Sequence, residues 1–488
     1  MALVIKNGAI VLASLLFGTF GLHAVYQAQA KGEAGGAAGL LAAIPGLSEP
    51  SPTAVVTTSD GKVQLTARAD RGAVLHQGDG IVQVEVTVKA DAMPGAPQRT
   101  PTDVVVVVDH SGSMHGQKLD YAKQALLGLI ERVGPEDRLG VVLFDHNADV
   151  LFPLQSPSGS TRDHWRALVR SVESAGGTSI GGGLDAGLSL MSEPSEARVT
   201  RVLLLSDGQD NSGLPALTGV ARQITARQGV LSTLGIGQDF DEQVMTSLAT
   251  AGTGAFYYMA KPEVLPALLD AELKTATETF ASGAQLRLRL GDGVRVTSAG
   301  GIPVQTRDGE AIIPIGSLYA ARERKIWLGL RVPTDSLLER ALGKLTLSYR
   351  RAGTTFEVSG SALPKVACVA DQTSYERRIN ADVWGRAMVE EELNRAREEL
   401  GDAIARGTAQ DVDRSVARVE SQRLLAERLG QSQVVDEIVS VREEGAQAKL
   451  AQVAAPAARS ASAKTQKAIG YGKRNASSYG SSNFAAGF

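Results

Sequence analysis

Asp109, Ser111 and Ser113 occupy alternate positions in Asp109-His110-Ser111-Gly112-Ser113, directly after the run Val104-Val105-Val106-Val107-Val108. The unbroken β-branched run predicts a strand buried on both faces of a sheet. The carboxylate and two hydroxyls that follow it, with Gly112 permitting a tight turn, are hard oxygen donors of the kind a small divalent cation takes. This segment alone leaves a second reading open, in which Asp109 or Ser111 caps a helix, or Ser113 caps the helix starting near Gln117.

Two other segments bear on that choice. Leu203-Leu204-Leu205-Ser206-Asp207-Gly208 is another apolar strand ending in an acid and a glycine, although Asp207 could simply form a turn. Between the two lies Gly176-Gly177-Thr178-Ser179-Ile180-Gly181-Gly182-Gly183, a loop able to carry the Thr178 hydroxyl to the same place. In an open α/β sheet, ligands gather beyond the carboxyl ends of strands, where the strand order reverses. Two carboxylates and three hydroxyls from separated loops are therefore expected to converge there.

The elements that must position these residues follow from hydrophobic period. Over residues 101–276, short apolar strands at residues 139–144, 201–205 and 230–234 alternate with amphipathic stretches. One of these, residues 118–133, places Leu119, Ala122, Ala125, Leu126, Leu129 and Ile130 on one stripe. The pattern predicts a doubly wound, mainly parallel α/β sheet covered by helices on both faces. On either side the period changes to two. Val82, Val84, Val86 and Val88 alternate with Gln83, Glu85, Thr87 and Lys89, and Leu286, Leu288 and Leu290 alternate with Arg287 and Arg289. An antiparallel β-sandwich built from residues 61–100 and 277–368 is expected to flank the α/β unit. Residues 369–445 predict a helical hairpin, with Val389, Leu393, Ala396 and Leu400 at seam spacing and a break at Gly407-Thr408.

The ends have a different character. Lys6 is the only charge before Lys31, residues 8–22 are apolar or small, and Ala28-Gln29-Ala30 is a small-x-small cleavage signature. Residues 1–30 thus read as a signal peptide for export, the alternative being an uncleaved anchor that associates with the envelope. Residues 31–60 read as a flexible linker and residues 446–488, which lack acidic residues, as a disordered basic tail. The net charge of −3 argues against a polyanion-binding role for the whole chain. The single cysteine, Cys368, excludes an intramolecular disulfide framework and a cysteine-rich zinc site. Tyr471, Tyr479, Phe484 and Phe488 could stack on single-stranded nucleic acid, but an exported chain rarely meets it, and no nucleic acid partner is expected. No sequence feature specifies an oligomeric state.

Residues 101–276 resemble a von Willebrand factor type A domain with a complete metal-ion-dependent adhesion site. The family signature of Asp-x-Ser-x-Ser, a distant Thr and an Asp after a later strand falls on Asp109, Ser111, Ser113, Thr178 and Asp207. The glycine-rich stretch around Thr178 is similar to that of bacterial members. The resemblance implies Mg²⁺, with Mn²⁺ or Ca²⁺ as alternatives, bound directly by Ser111 and Ser113. Thr178, Asp109 and Asp207 would complete the shell directly or through water. Neutral hydroxyl ligands leave such a cation partly unneutralised, so a protein partner can add an Asp or Glu carboxylate at an open position. The function implied is metal-dependent protein binding or adhesion at the cell envelope, without turnover.

Other chemistries can be weighed on the same residues. His110, His115 and His146 would favour a softer transition metal, but no pair has ligand spacing, and exposed loop histidines are expected. Asp109, His115 and Ser179 follow the chain order of a subtilisin-like triad, the basis of a secreted-hydrolase alternative. Against it, His115 lies too soon after Asp109 to head its own helix, and no Asn-containing oxyanion segment is evident. A haloacid-dehalogenase-type phosphatase would need a second acid where Ser111 stands, and the His-Glu-x-x-His of a metalloprotease is missing. A third class is an envelope scaffold independent of metal, with Lys449, Arg459, Lys464, Lys467, Lys473 and Arg474 touching anionic polymers or lipid.

Overall fold

The computed structural model describes residues 55–92, 100–193, 198–207, 213–236, 240–259, 272 and 278–454 (without 308, 352, 353, 361 and 408), together with 459, 462, 463, 466, 467, 469 and 470. The expected signal peptide lies outside the described residues, as do most of the expected linker and the end of the tail.

The α/β unit contains β1 (Thr102–Asp109), α1 (Gln117–Arg132), β2 (Arg138–Phe144), β3 (Ala148–Gln155), α2 (Gly159–Ser171), α3 (Ile180–Leu190), β4 (Val199–Ser206), α4 (Leu214–Ala226), β5 (Gly229–Ile236), α5 (Glu242–Ala251) and β6 (Thr253–Met259). Its sheet has the order β6-β5-β4-β1-β2-β3. All neighbours are parallel except β3, which runs antiparallel to β2 at the edge. Val104, Val106 and Val108 of β1 enter one core with α1, while Val105 and Val107 enter the other with α3 and α4. The valine run is therefore buried on both faces, as a central parallel strand requires. The strand order reverses between β1 and β4, so Asp109 and Asp207 end the two strands that flank the switch point. The edge strand β3 has no clear period in the sequence, and Pro153 within it is tolerated because one side of an edge strand needs no ladder bonds.

Strands from before and after this unit share one sheet. Ile81–Ala90 pairs antiparallel with both Val63–Ala69 and Glu323–Arg331, setting Val84 opposite Leu328 and Val86 opposite Ile326. A second sheet, centred on Thr279–Leu290, packs against it through one core that includes Val82, Val86, Leu286, Leu288, Ile313 and Leu347. The sandwich begins earlier than expected. Val56–Ser59, inside the expected linker, is a strand paired with Val63–Ala69 around Asp60-Gly61. Asp60 accepts from the Lys62 and Val63 amides and Gly61 has φ +83°, which is the chemistry of a tight hairpin turn.

Two expectations about exposure and helices are corrected. Gln83 and Glu85, placed by their alternation on a polar outer face, are buried. The reason is a covering layer: Arg386 pairs with Glu85 at 2.6 Å, Gln83 donates to Glu392 at 3.0 Å, and Trp327 Nε1 donates to Glu390 at 3.0 Å. This layer is larger than a hairpin. Ala381–Ala387 runs through a π-helical turn, Met388–Glu392, into Leu393–Arg406, which ends at Gly407 in the left-handed conformation. Ala409–Glu420, Arg423–Arg428 and Ser432–Gln452 then pack back on it around Leu393, Leu400, Val412, Ile438 and Val441. Part of the expected disordered tail joins them, since Lys467 pairs with Asp402, Gln466 with Glu444, and Ala463 is buried. Among the described residues no helix is long and apolar enough to cross a membrane.

Candidate metal centre

Asp109 is the last residue of β1 and is fully buried. Its Oδ1 accepts the Ser111 amide at 2.9 Å, which folds the chain back over the strand end, and its Oδ2 accepts the Ser206 hydroxyl at 2.6 Å. Ser111 Oγ lies 3.0 Å from Ser113 Oγ. Ser111 is buried and Ser113 exposed, so this pair runs from the interior to the surface. Across the switch point, Asp207 follows β4 with no exposed side-chain surface. Its Oδ2 accepts from Lys118 Nζ at 3.0 Å, while its Oδ1 is buried with no hydrogen-bond partner. Burial pushes the Asp109 carboxyl above the ordinary carboxylate range. The Ser111 and Ser206 bonds oppose this, and the neighbouring Asp207 charge adds to it.

The Thr178 loop is tied to the turn after β1 and to Asp145 at the end of β2. The Gly112 amide donates to the Gly176 carbonyl at 3.1 Å, and the Ala175 amide to the His110 carbonyl at 2.8 Å. On the other side the Ser179 amide donates to the Asp145 carbonyl at 2.6 Å. Thr178 is half-buried between these anchor points. Gly176 has φ +68°, and a Cβ there would lie 2.4 Å from Asp145 Oδ2, so the close approach of this loop requires glycine. The Asp207 carbonyl in turn accepts the Asp241 amide at 2.9 Å, tying the end of β4 to the start of α5.

The donor set fits a small hard cation on three observations. An octahedral Mg²⁺ with ligands at about 2.0–2.1 Å separates adjacent oxygens by roughly 3 Å, and the Ser111–Ser113 hydroxyls have that spacing. Asp207 Oδ1 is a buried acceptor with nothing to accept, which is costly unless a proton or cation reaches it. All the donors are oxygens. Among the described residues no group of three His, Cys, Asp or Glu side chains assembles, so the donor set there differs from a transition-metal cage.

The histidines are engaged elsewhere. His110 Nδ1 bonds the Glu173 carbonyl at 2.9 Å, His115 Nδ1 bonds Ser174 Oγ at 3.1 Å, and His146 lies against Asp145 at 3.2 Å. Ser179 Oγ accepts the Gly182 amide as the cap of α3. Asp109, His115 and Ser179 thus each bond other groups rather than one another, and no Asp-His-Ser relay forms. Lys118 and Ser206 join the site without having been expected there from the sequence. Lys118 carries a local signal, because a lysine in the first turn of α1 opposes the helix dipole. Ser206 carries only its adjacency to Asp207.

The fold of the α/β unit defines a class. The von Willebrand factor type A domain model matches residues 103–271. A solved von Willebrand factor type A protein from Catenulispora acidiphila covers 78% of this chain and 91% of its own, with TM-score 0.59 and 21% identity, a likeness of fold. The α/β unit of this chain is a von Willebrand factor type A domain, carried between strands of a β-sandwich. Among curated proteins, an uncharacterized protein of Synechocystis is 28% identical over 299 residues, which is 57% of this chain and 68% of the relative. The E3 ubiquitin-protein ligase WAV3 of Arabidopsis thaliana is 24% identical over 316 residues, 59% of this chain. Inter-alpha-trypsin inhibitor heavy chain H3 of Pongo abelii is 28% identical over 217 residues, 42% of this chain. The match spans only 41% and 24% of the length of these last two relatives.

Proposed function

We propose that this is an exported binding protein whose von Willebrand factor type A domain captures an acidic group of a protein partner through a divalent cation. A domain of this type supports protein–protein interaction or adhesion as the general role. The observation that carries the metal-dependent reading is Asp207 Oδ1, buried without a partner on a carboxylate whose charge acts on Asp109. Ser111, Ser113, Thr178, Asp109 and Asp207 would hold the ion, Mg²⁺ by donor chemistry, with Mn²⁺ or Ca²⁺ able to replace it. When bound, the ion supplies a positive charge with a coordination position open to a carboxylate.

The protein's own residues do the rest. The Asp109 carboxylate fixes the Ser111 turn, Ser206 orients Asp109, and the Gly112–Gly176 bond keeps the Thr178 loop against that turn. Ser113, at the surface, borders the face a partner would approach. Asp109, His115 and Ser179 bond Ser206, Ser174 and Gly182 rather than one another, which favours binding over the hydrolase alternative. Residues 1–30 would direct export, placing this face in the periplasm, at the cell surface or outside the cell.

The test is affinity capture from envelope extract on the immobilised full chain. Partner protein should be retained in Mg²⁺ and released by EDTA, and Asp109→Ala should retain none while keeping the wild-type circular dichroism spectrum. Capture that resists EDTA, or that survives the substitution, would sink the reading.

A further inference from the structure

Lys118 is the second residue of α1, where the helix dipole disfavours a cation, and Gly116 before the helix makes no side-chain cap. The side chain is nonetheless directed to Asp207 Oδ2 at 3.0 Å, with 22% of its surface exposed. The same carboxylate has its other oxygen, Oδ1, buried and unpartnered. One carboxylate therefore offers one oxygen to a resident ammonium and the other to whatever occupies the site. We propose that Lys118 is a built-in competitor of the divalent cation, neutralising Asp207 when the ion is absent and holding the ion's affinity down when it is present. The inference rests on the metal-binding reading above.

Charge decides the direction. A divalent ion held by the same carboxylate would be a near neighbour of the ammonium, and even at the dielectric of water a divalent and a monovalent cation at about 6 Å repel by about tenfold in affinity, or about 1.4 kcal/mol. Holding one carboxylate in a fixed orientation works the other way but is worth only a fewfold. Repulsion therefore wins. It also couples the metal to the partner. Asp109, Asp207, Lys118 and a divalent ion together leave the site with a net positive charge, which the arriving carboxylate neutralises. The ion is then retained firmly only in the ternary state.

The test uses Mg²⁺ alone, titrated calorimetrically into the metal-stripped full chain. Lys118→Met should bind Mg²⁺ about tenfold more tightly than the wild type. In EDTA the same variant should melt at a lower temperature, because Asp207 has lost its counter-charge. Lys118→Gln, which keeps a donor for Asp207 without the charge, should also bind more tightly and serves if the Met variant does not fold. Wild-type binding with equal or weaker binding in both variants overturns the competitor role while leaving the metal site intact. Absence of Mg²⁺ binding in the wild type overturns the metal reading and this inference with it.

Discussion

Asp109 carries the sharpest consequence at the scale of single residues. Its folded-state carboxyl titrates above the ordinary range, first because it is buried and then because Asp207 lies beside it. A raised carboxyl favours the folded protein while it holds its proton, and that contribution is lost as pH rises through the raised value. With metal removed, thermal stability should therefore decline as pH rises above the ordinary aspartate value of about 4, and Asp109→Asn should flatten this part of the curve. Melts in EDTA across that window check it, and an unchanged slope in the variant would contradict it. The paired serines and both aspartates were legible because each sits within a few residues of a strand end. Lys118 and Ser206 were not, since their bonds span 89 and 97 positions of chain and no local period records them.

At the scale of elements, α3 presses its glycines on the sheet under the site. A Cβ on Gly183 would lie 2.5 Å from the Phe144 ring, and one on Gly187 2.6 Å from Val107. Because α3 is capped by Ser179, directly after Thr178, any lift of the helix moves the loop that carries the hydroxyl. Gly183→Ala should cost about 1–3 kcal/mol by overpacking and weaken Mg²⁺ binding together with stability. Denaturant unfolding and Mg²⁺ titration of the variant would show whether both move. The parallel strands were legible because apolar runs buried on two faces have few other uses. The outer burial of Gln83 and Glu85 was not legible, because alternating polar residues look solvated until a layer 301 positions later in the chain is known to cover them.

On the scale of the whole molecule, the α/β domain is held at both ends by strands of one sandwich, and the helical layer closes the sandwich's outer face. Arg386→Ala would strand the Glu85 carboxylate beneath that layer, with a cost of roughly 2–3 kcal/mol. Limited proteolysis should then cut the helices around residues 381–428 before the α/β domain, and equal protection of both would argue against a separate covering layer. Arg386 lies in the helical layer and touches none of the candidate metal ligands, so Mg²⁺ affinity in Arg386→Ala should match the wild type. Metal-dependent binding at this site requires a cation to meet the buried oxygen of Asp207. Calorimetric titration of Mg²⁺ into the metal-stripped full chain and into Asp207→Asn puts this directly: a single saturable site in the wild type that disappears in the variant is predicted, and either no binding in the wild type or the same isotherm in both would contradict it.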